Sequence, residues 1–464
     1  MRRAIYWFRR DLRVHDNTGL RAALEAACEV VPVYLLSQWR GRHHWTGSAR
    51  QEFLCGSLAV LARNIERLGG RLIIRQGAAD EELAGLLAET KAEAIFFNRD
   101  PDPFGRAMEK KVTSVAAAFG ATAHAFQDVA IHERDEVLTG KGEPFRVFTP
   151  YARAWRALPK PPVHAAPRRM RTPPEIPSLP LPTPAIWGLG SGADIIAPGE
   201  DAARLRLDAF LRGPILRYKD LRDIPAAGAT SRLSQDLRFG LLSPREVHRR
   251  AEAARDGTDA PGIDAYVNEL IWREFYMQIL WHWPHVIDSD FNPGYRNVRW
   301  YEPGPEFDAW REGRTGFPIV DAAMRQLNAT GFMHNRLRMI TAMFLTKDLH
   351  IHWRAGESHF MQRLVDGDIA SNNGGWQWSA GTGADAAPYF RIQNPWTQSA
   401  RYDPKGEFIR RWVPELRECH PAELSVPPAP GRRICRAYPP PIVDHAAERK
   451  VALTLFKARQ TAAS

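Results

Sequence analysis

The sequence predicts an α/β N-terminal domain with a parallel doubly wound sheet, a long proline-rich connector, and a large all-α C-terminal domain. In the first part of the chain, short apolar runs alternate with stretches of helical spacing. Prolines then crowd a short stretch, beyond which strand patterns vanish and helical patterns follow one another. A chain of 464 residues exceeds what one hydrophobic core usually holds. We therefore expect three regions, at 1–130, 131–199 and 200–464.

The N-terminal region contains five apolar runs that favour buried strands. Amphipathic stretches separate them; Phe53, Leu58, Leu61 and Ile65, for example, recur at helical spacing. Alternation of strands and helices is typical of βαβ units, which build a parallel sheet covered on both faces. No Gly-x-Gly-x-x-Gly follows the first strand, so we expect no nicotinamide-type dinucleotide site. The predicted strands are Ile5–Phe8, Val30–Leu36, Leu72–Ile74, Ala94–Phe97 and Ala121–Phe126.

The connector and the C-terminal region have different signatures. Ten prolines between residues 159 and 184 exclude a helix or a central strand, because proline lacks the N–H donor and restricts the backbone. Such a segment is typical of a stiff linker at the surface. Helical spacing dominates from about residue 200. We predict helices at 200–212, 243–255, 264–281, 318–329, 333–347, 356–365 and 444–457.

Composition limits the class of protein and its partners. The formal net charge of +10 favours anionic partners, with nucleic acid as the leading candidate, although mild basicity also occurs without a special role. Four cysteines without a Cys-x-x-Cys spacing argue against a disulfide framework and a zinc site. No apolar run reaches 18 residues, and the N-terminus lacks the pattern of a signal peptide. We expect a cytoplasmic protein without a membrane segment.

One predicted helix carries an unusual polar and aromatic face. Glu269, Trp272, Arg273 and Tyr276 are spaced i, i+3, i+4 and i+7, so they share one side of the helix at 264–281. Buried polar groups on such a face need partners. The pattern indicates either a binding surface or a buried ion pair with aromatic packing.

Two further patterns are each ambiguous on their own. Asn335, Arg338 and Met339 share a helix face, which suits a binding surface or a solvated polar stripe. The segment Thr230-Ser231-Arg232-Leu233-Ser234 offers hydroxyls and backbone N–H groups near a helix start. It suits a phosphate cradle or a simple helix cap.

The segment 366–378 is the least generic part of the chain. It reads Asp-Gly-Asp-Ile-Ala-Ser-Asn-Asn-Gly-Gly-Trp-Gln-Trp. Its glycines indicate backbone conformations that other residues avoid. Asn372 offers both donors and an acceptor, and we expect Asp366 to pair with a buried arginine such as Arg338. A metal site at Asp366 and Asp368 is the rival interpretation, but no further ligands cluster at a suitable spacing, so we expect no metal.

These segments together resemble the photolyase/cryptochrome family. The segments Ala229–Ser234, Glu269–Tyr276, Met333–Met339, Asp366–Trp378 and Thr382–Ile392 occur in that family's order, and Tyr6–Arg13 is similar to its first strand and turn. The resemblance covers nearly the whole chain and is closest to cyclobutane pyrimidine dimer photolyases of the microbial class I type. It implies an N-terminal α/β domain and a helical domain that binds FAD.

The resemblance assigns roles to matching residues. It implies catalytic roles for Glu269, Asn335 and Asn372, with the Asn372 amide facing the flavin N5. Trp376, Trp353 and Trp310 match the family's electron relay between the flavin and the surface. The residues expected to bind FAD are Tyr218, Thr230, Ser231, Arg232, Leu233, Ser234, Arg273, Arg338, Asp366, Gly367, Asp368 and Asn372. Those expected to bind lesion-containing DNA are Glu269, Trp272, Arg273, Tyr276, Asn335, Arg336, Met339, Trp378 and Arg391.

The resemblance implies light-driven repair of cyclobutane pyrimidine dimers in DNA by a deoxyribodipyrimidine photo-lyase. An electron would pass from reduced, anionic FAD to the flipped-out lesion. A histidine pair, typical of the family's (6-4) repair enzymes, is absent around His334. The rivals are a cryptochrome-type blue-light photoreceptor and a nucleic-acid-binding module without FAD. The family often carries an antenna chromophore, a folate or a deazaflavin, and the sequence does not choose between them. We expect a monomer without an obligatory protein partner.

Three departures from the family pattern accompany the resemblance. Phe332 stands where tryptophan is common, Gln393 stands where an aromatic residue is usual, and Gln235-Asp236 replaces a small or proline-containing loop. None removes a proposed catalytic group. The last change affects the packing around the expected phosphate cradle.

Overall fold

The computed structural model describes residues 1–41, 43, 45–192, 194–255, 257 and 259–458. The last six residues of the predicted C-terminal domain, 459–464, lie outside the described residues. Within the described ranges, no helix is both long and apolar enough to cross a membrane.

A five-stranded parallel sheet forms the core of the N-terminal domain. Its strand order is β3-β2-β1-β4-β5, and every adjacent pair is parallel. All five predicted strands are confirmed, with ends shifted by at most two residues. The strands are β1 (Arg3–Phe8), β2 (Glu29–Leu36), β3 (Ile73–Gln76), β4 (Ala94–Asn98) and β5 (Thr122–Phe126).

Helices cover both faces of this sheet. They are α1 (Thr18–Ala26), α2 (Ser48–Arg67), α3 (Ala79–Thr90) and α4 (Pro103–Ala118). Alternate residues of β1 point to opposite faces. Tyr6 and Phe8 belong to a core shared with α1 and α2, whereas Ile5 and Trp7 pack in the core shared with α3 and α4. The predicted doubly wound arrangement is therefore confirmed.

The proline-rich connector runs along one edge of the sheet. The Leu179 N–H donates to the Ile74 carbonyl on the edge strand β3 at 2.9 Å, and the Ile74 N–H donates to the Ser178 hydroxyl at 2.9 Å. An uncovered edge strand invites pairing with other chains, so the connector protects this edge. Ahead of the prolines lies one helix that we did not predict, α5 (Phe148–Ala157).

The C-terminal domain is helical. The predicted helices are confirmed, with shifted ends: the helix α13 passes into a π-helix at 344–348, and α14 starts three residues early. The helices α7, α8, α11, α15, α16 and α17 were not predicted. The helices are α6 (Glu200–Leu211), α7 (Tyr218–Leu221), α8 (Ser234–Phe239), α9 (Pro244–Ala253), α10 (Pro261–His282), α11 (Pro305–Glu312), α12 (Pro318–Thr330), α13 (Asn335–Met343), α14 (Trp353–Arg363), α15 (Ile369–Ala380), α16 (Pro395–Tyr402), α17 (Glu407–Trp412) and α18 (His445–Ala458).

A buried charge network joins the two domains. Asp128, just after β5, accepts hydrogen bonds from Arg13 at 2.6 Å and from Arg245 of α9 at 2.8 Å. All three side chains are at most 3% exposed. Burial raises the pKa of the Asp128 carboxyl, but the charges of Arg13 and Arg245 outweigh it and hold that pKa below its usual value.

We predict that Asp128→Ala destabilises the protein by about 3–5 kcal/mol, because it leaves two buried guanidinium groups without their shared carboxylate. Chemical denaturation followed by circular dichroism measures the change. Glu25→Ala is the control; it breaks the exposed Arg21–Glu25 pair and should cost less than about 1 kcal/mol. Because the folded pKa of Asp128 is lowered, its contribution holds above about pH 4 and disappears on further acidification. Equal effects of both variants would contradict the prediction.

Candidate cofactor-binding cavity

A cavity of about 530 Å³ lies within the helical domain, a size typical of cofactor sites. Its walls come from the α7 and α8 region, α10, α13 and α15. The structure brings together nearly all residues that the sequence singled out. Those on the cavity wall are Tyr218, Thr230, Ser231, Arg232, Leu233, Ser234, Glu269, Trp272, Arg273, Tyr276, Asn335, Arg336, Arg338, Met339, Asp366, Gly367, Asp368, Asn372, Trp376 and Trp378.

The helix α10 supplies the polar and aromatic wall as its spacing predicts. Glu269 and Trp272 face the cavity, whereas Val267 and Ile271 are fully buried in the core behind it. Glu274 also points away from the cavity, and accepts a hydrogen bond from the Trp155 indole at 2.7 Å. One helix therefore presents its binding groups on one side and anchors itself with the other.

The glycine-rich segment after Asp368 folds as the helix α15. Asp368 caps it, accepting a hydrogen bond from the Ser371 N–H at 2.9 Å, which suits the preference of aspartate for this position. Gly374 lacks a positive φ, so our expectation of an unusual backbone there is wrong. A Cβ at Gly374 would lie 2.1 Å from the Tyr276 ring. The glycine instead allows close packing of α15 on α10.

Asp366 and Arg338 form the predicted ion pair, at 2.8 Å. Arg338 also donates to the Met333 carbonyl at 2.8 Å, which fixes its orientation along α13. The Oδ1 atom of Asp366 is buried and has no hydrogen-bond partner among the described residues. Because such atoms are normally satisfied, this oxygen is available to a ligand.

Asn372 faces the same cavity one turn into α15. Its amide nitrogen donates to the Glu357 carbonyl at 3.1 Å, which leaves the amide oxygen as the group presented to a ligand. The Glu357 side chain accepts from Asn373 at 2.9 Å, and burial raises its pKa to about 7. The asparagine is thus held by the backbone of α14.

The expected phosphate cradle lines another wall of the cavity. Arg232 has a φ of +51°, and such a left-handed residue next to a helix start arranges successive N–H groups for an anion. The Gln235 side chain donates to the Arg232 carbonyl, and Asp236 pairs with Arg206 at 2.5 Å. The unusual Gln235-Asp236 pair therefore stabilises the cradle from the side that faces away from the cavity.

Glu269 has a partner that the sequence did not reveal. Its carboxylate accepts from Arg222 at 2.5 Å. Burial raises the pKa of Glu269, and the charge of Arg222 opposes that rise. The next residue, Asp223, pairs with Arg336 at 2.8 Å, so Arg336 is engaged by a carboxylate. No spacing rule links residues 222–223 to α10 or α13, since only the fold brings them together.

Aromatic side chains shape the remaining wall. Phe148 of α5 stacks on Trp272 with ring centroids 3.7 Å apart and planes 4° from parallel. Tyr276 packs against the same indole at 5.5 Å. Trp272 and Trp378 both face the cavity, and the stack holds the first in place.

The three predicted relay tryptophans have different environments. Trp376 lines the cavity and packs on Gly356 of α14, where a Cβ would lie 2.1 Å from its ring; Trp353 begins the same helix. Trp310 is 0% exposed and its ring lies 6.1 Å from that of Trp376. This burial is at odds with a position at the surface end of a relay.

Trp300, which no sequence pattern singled out, lies closer to the surface. It is half-buried, and its ring lies 5.3 Å from that of His352. His352 in turn lies 5.4 Å from the Trp353 ring. An aromatic path therefore leads from Trp353 outward through these contacts.

Arg391 is the one predicted DNA contact outside the cavity wall. It is exposed in the loop that follows α15. The loop returns to the helix, because the Ala387 N–H donates to the Trp378 carbonyl at 3.3 Å. Arg391 therefore lies on the surface rather than among the groups that line the cavity.

The cavity fits FAD on its own features. Two buried polar atoms on the cavity wall, the indole Nε1 of Trp376 and Oδ1 of Asp366, have no hydrogen-bond partner among the described residues. A Cβ at Gly375, also on the wall, would meet open space. The cradle at 230–234 suits a pyrophosphate, and Arg338 with Asp366 offers a donor and an acceptor to a polar ring edge.

Comparisons with known proteins agree with this fit. Residues 4–171 match the family model "DNA photolyase", and residues 266–458 match "FAD binding domain of DNA photolyase". A deoxyribodipyrimidine photo-lyase of Synechococcus sp. is 39% identical, over 97% of this chain and 96% of the relative.

Two solved structures are also similar. A bacterial class III photolyase from Agrobacterium tumefaciens shares 37% identity, with a TM-score of 0.93 over 99% of this chain and 98% of that one. An archaeal photolyase from Sulfolobus tokodaii, solved with two FAD molecules, shares 30% identity with a TM-score of 0.87, over 98% of this chain and 100% of that one. The chain has the FAD-binding domain of these proteins and belongs to the DNA photolyase family.

Proposed function

We propose that the protein uses light and reduced, anionic FAD to repair cyclobutane pyrimidine dimers in DNA. The observation that carries this proposal is the single cavity in which Asp366 and Asn372 meet Glu269, Trp272 and Trp378. The residues expected to bind FAD and those expected to bind the lesion therefore line the same cavity. The similarity to proteins named deoxyribodipyrimidine photo-lyase supports the same reaction.

When bound and reduced, FAD supplies the photoexcited electron that opens the cyclobutane ring, and the electron returns afterwards. The chain's own residues receive and orient the lesion. A dimer must leave the base stack to reach a buried cofactor, and its weak stacking lowers the cost. Trp272 and Trp378 offer aromatic surfaces to its bases. The stacked Phe148 fixes the first of these surfaces.

Glu269 and Asn335 orient the bases by hydrogen bonds. Because burial raises the pKa of Glu269, this carboxyl holds its proton more readily and can donate to a base carbonyl. That donation stabilises the negative charge that develops on the lesion. Arg222 keeps the carboxyl in place. Met339 adds an apolar contact from α13.

Asn372 favours repair over a signalling role. The family's plant cryptochromes carry an acidic residue at the matching position, which can donate a proton to the flavin. The Asn372 amide presents an oxygen and no acidic proton, because its nitrogen is held by the Glu357 carbonyl. This arrangement supports the anionic form of the reduced cofactor.

DNA binding outside the cavity would rely on cations. We keep Arg391 as an exposed candidate for phosphate contact; Arg336 must first exchange Asp223 for a phosphate. Such contacts make binding depend on salt. The antenna remains a prediction, as do the class I type, the monomeric state and the cytoplasmic location. The Sulfolobus tokodaii photolyase, whose second FAD is described as implying a novel light-harvesting cofactor, supports an antenna.

One experiment tests the proposed function directly. The purified protein is analysed for bound flavin, reduced, and illuminated with blue light in the presence of dimer-containing DNA. We expect flavin fluorescence and recovery of thymine absorbance. Bound flavin without recovery would favour the cryptochrome interpretation. Absence of flavin would contradict both light-dependent functions and favour the FAD-free nucleic-acid binder.

We predict that Glu269→Ala lowers the preference for dimer-containing over undamaged DNA by about 2- to 12-fold, because a hydrogen bond between neutral groups contributes about 0.5–1.5 kcal/mol. Fluorescence anisotropy with matched oligonucleotides measures the preference. Glu81→Ala, at an exposed position of α3, is the control and should leave it unchanged. An unchanged preference in Glu269→Ala would remove this residue from the lesion site.

We place the surface end of the electron relay at Trp300 and its inner members at Trp353 and Trp376. Trp300→Phe should slow the photoreduction of oxidised FAD more than Trp310→Phe does, because Trp310 is fully buried. Transient absorption measures this rate. Repair by enzyme reduced beforehand should be the same in both variants. If Trp310→Phe slowed photoreduction more than Trp300→Phe, Trp310 would be the surface end of the relay instead.

A further inference from the structure

The turn between α14 and α15, residues 364–368, carries Asp366, Gly367 and Asp368 to the cavity wall. Two arginines of the helical domain contact it: Arg338 pairs with Asp366, and Arg238 donates to the Gly367 carbonyl at 3.0 Å. Two more arginines reach the same turn from the α/β domain. The cofactor wall is therefore built partly from the other domain.

Arg50 of α2 is the first of these. It donates to the Leu364 carbonyl at 3.0 Å and to the Met361 carbonyl at 2.5 Å, at the end of α14. A Cβ at Gly367 would lie 1.7 Å from its guanidinium, so the turn and Arg50 are in direct contact. Burial lowers the pKa of Arg50 to about 9, and the side chain stays charged at neutral pH.

Arg10, which follows β1, is the second. It pairs with Asp100 at 2.9 Å and with Asp368; the Arg10 and Asp368 side chains are 9% and 8% exposed. Asp368 in turn caps α15, which carries Asn372 and Trp376. Arg10 thus links the carboxyl end of the sheet to the start of the helix that presents these groups.

The charges around the turn follow a simple requirement. Asp366 and Asp368 are carboxylates on the wall of a cavity proposed to hold an anionic flavin, so each must be neutralised. Arg338 neutralises the first and Arg10 the second. Burial raises the pKa of Asp368, but the charges of Arg10, Arg238 and Arg273 outweigh it and hold that pKa far below its usual value.

We infer that Arg10 is a positioning residue of the cofactor site, which neutralises Asp368 and fixes the start of α15. Through it the α/β domain helps to set the balance between oxidised and reduced FAD. The inference rests on the proposed function, because it assumes that reduced, anionic FAD is the working form. Loss of Arg10 would remove the nearest cation from Asp368 and leave Arg238, at 3.9 Å, as its partner. The weaker pairing leaves more negative charge beside that anion, which destabilises the reduced form.

The test compares full-length Arg10→Gln with the parent protein. At a fixed solution potential, titrated against a reference dye, we expect the ratio of reduced to oxidised FAD to fall about tenfold. That change corresponds to about 30 mV for a two-electron couple. Arg10→Lys keeps the charge and should restore most of the parent ratio. The inference would be overturned if Arg10→Gln had the same ratio of reduced to oxidised FAD as the parent protein.

Two further variants separate this role from general domain docking. Arg106 of α4 also contacts the helical domain, donating to the Trp281 carbonyl at 3.0 Å, but it does not touch the turn. Arg106→Gln should leave the FAD ratio unchanged; an equal shift would show that Arg10 acts only by docking the domains. The double variant Arg10→Gln/Asp368→Asn also removes the Asp368 charge from the cavity wall, while Arg9 and Arg238 remain near Asp100. It should return the ratio toward the parent.

If Arg10→Gln loses FAD, so that no ratio can be measured, FAD retention by the other variants tests the inference. Retention of FAD by Arg10→Lys and by the double variant would support the inference, whereas loss from Arg10→Lys as well would overturn it. A parent protein that holds no flavin or repairs no DNA would instead contradict the proposed function. The two failures are therefore distinguishable.

Discussion

Arg10, just after β1, forms an ion pair with Asp368 of the helical domain. In doubly wound sheets, ligands bind at the carboxyl edge where the strand order reverses; here that point lies between β1 and β4. The residues after those strands, Arg10 and Asp100, pair with each other. In this protein, the edge of the sheet that binds a nucleotide in other doubly wound proteins contacts the helical domain.

This contact connects fold, cofactor site and chemistry. Asp368 starts α15, and α15 then presents Asn372 at one turn and Trp376 at the next. The neighbouring helix α10 is held against it because Gly374 admits the Tyr276 ring. The positions of the amide, the relay tryptophan and the lesion face thus depend on how one short turn is held. A fully buried network around Asp128 keeps the two domains in register.

Much of the site could be predicted from the sequence, because several of its helices expose one face. Glu269 and Trp272 on α10, and Asn335 with Met339 on α13, follow helical spacing directly. The helix α15 escaped prediction because its glycines and asparagines have low helix propensity; packing against Tyr276 and the Asp368 cap outweigh that propensity. The full burial of Trp310 could not be predicted, because spacing does not report burial.

The sequence by itself determined the strand–helix alternation, the connector, the family and most of the cavity wall, since these depend on local periodicity and on ordered motifs. Tertiary structure alone decided which charges meet. Arg222 reaches Glu269, and Arg10 and Arg50 reach the turn at 364–368, across separations of about 50 to 360 residues. Long-range ion pairs carry no periodic signal, because their partners need only share space after the chain has folded.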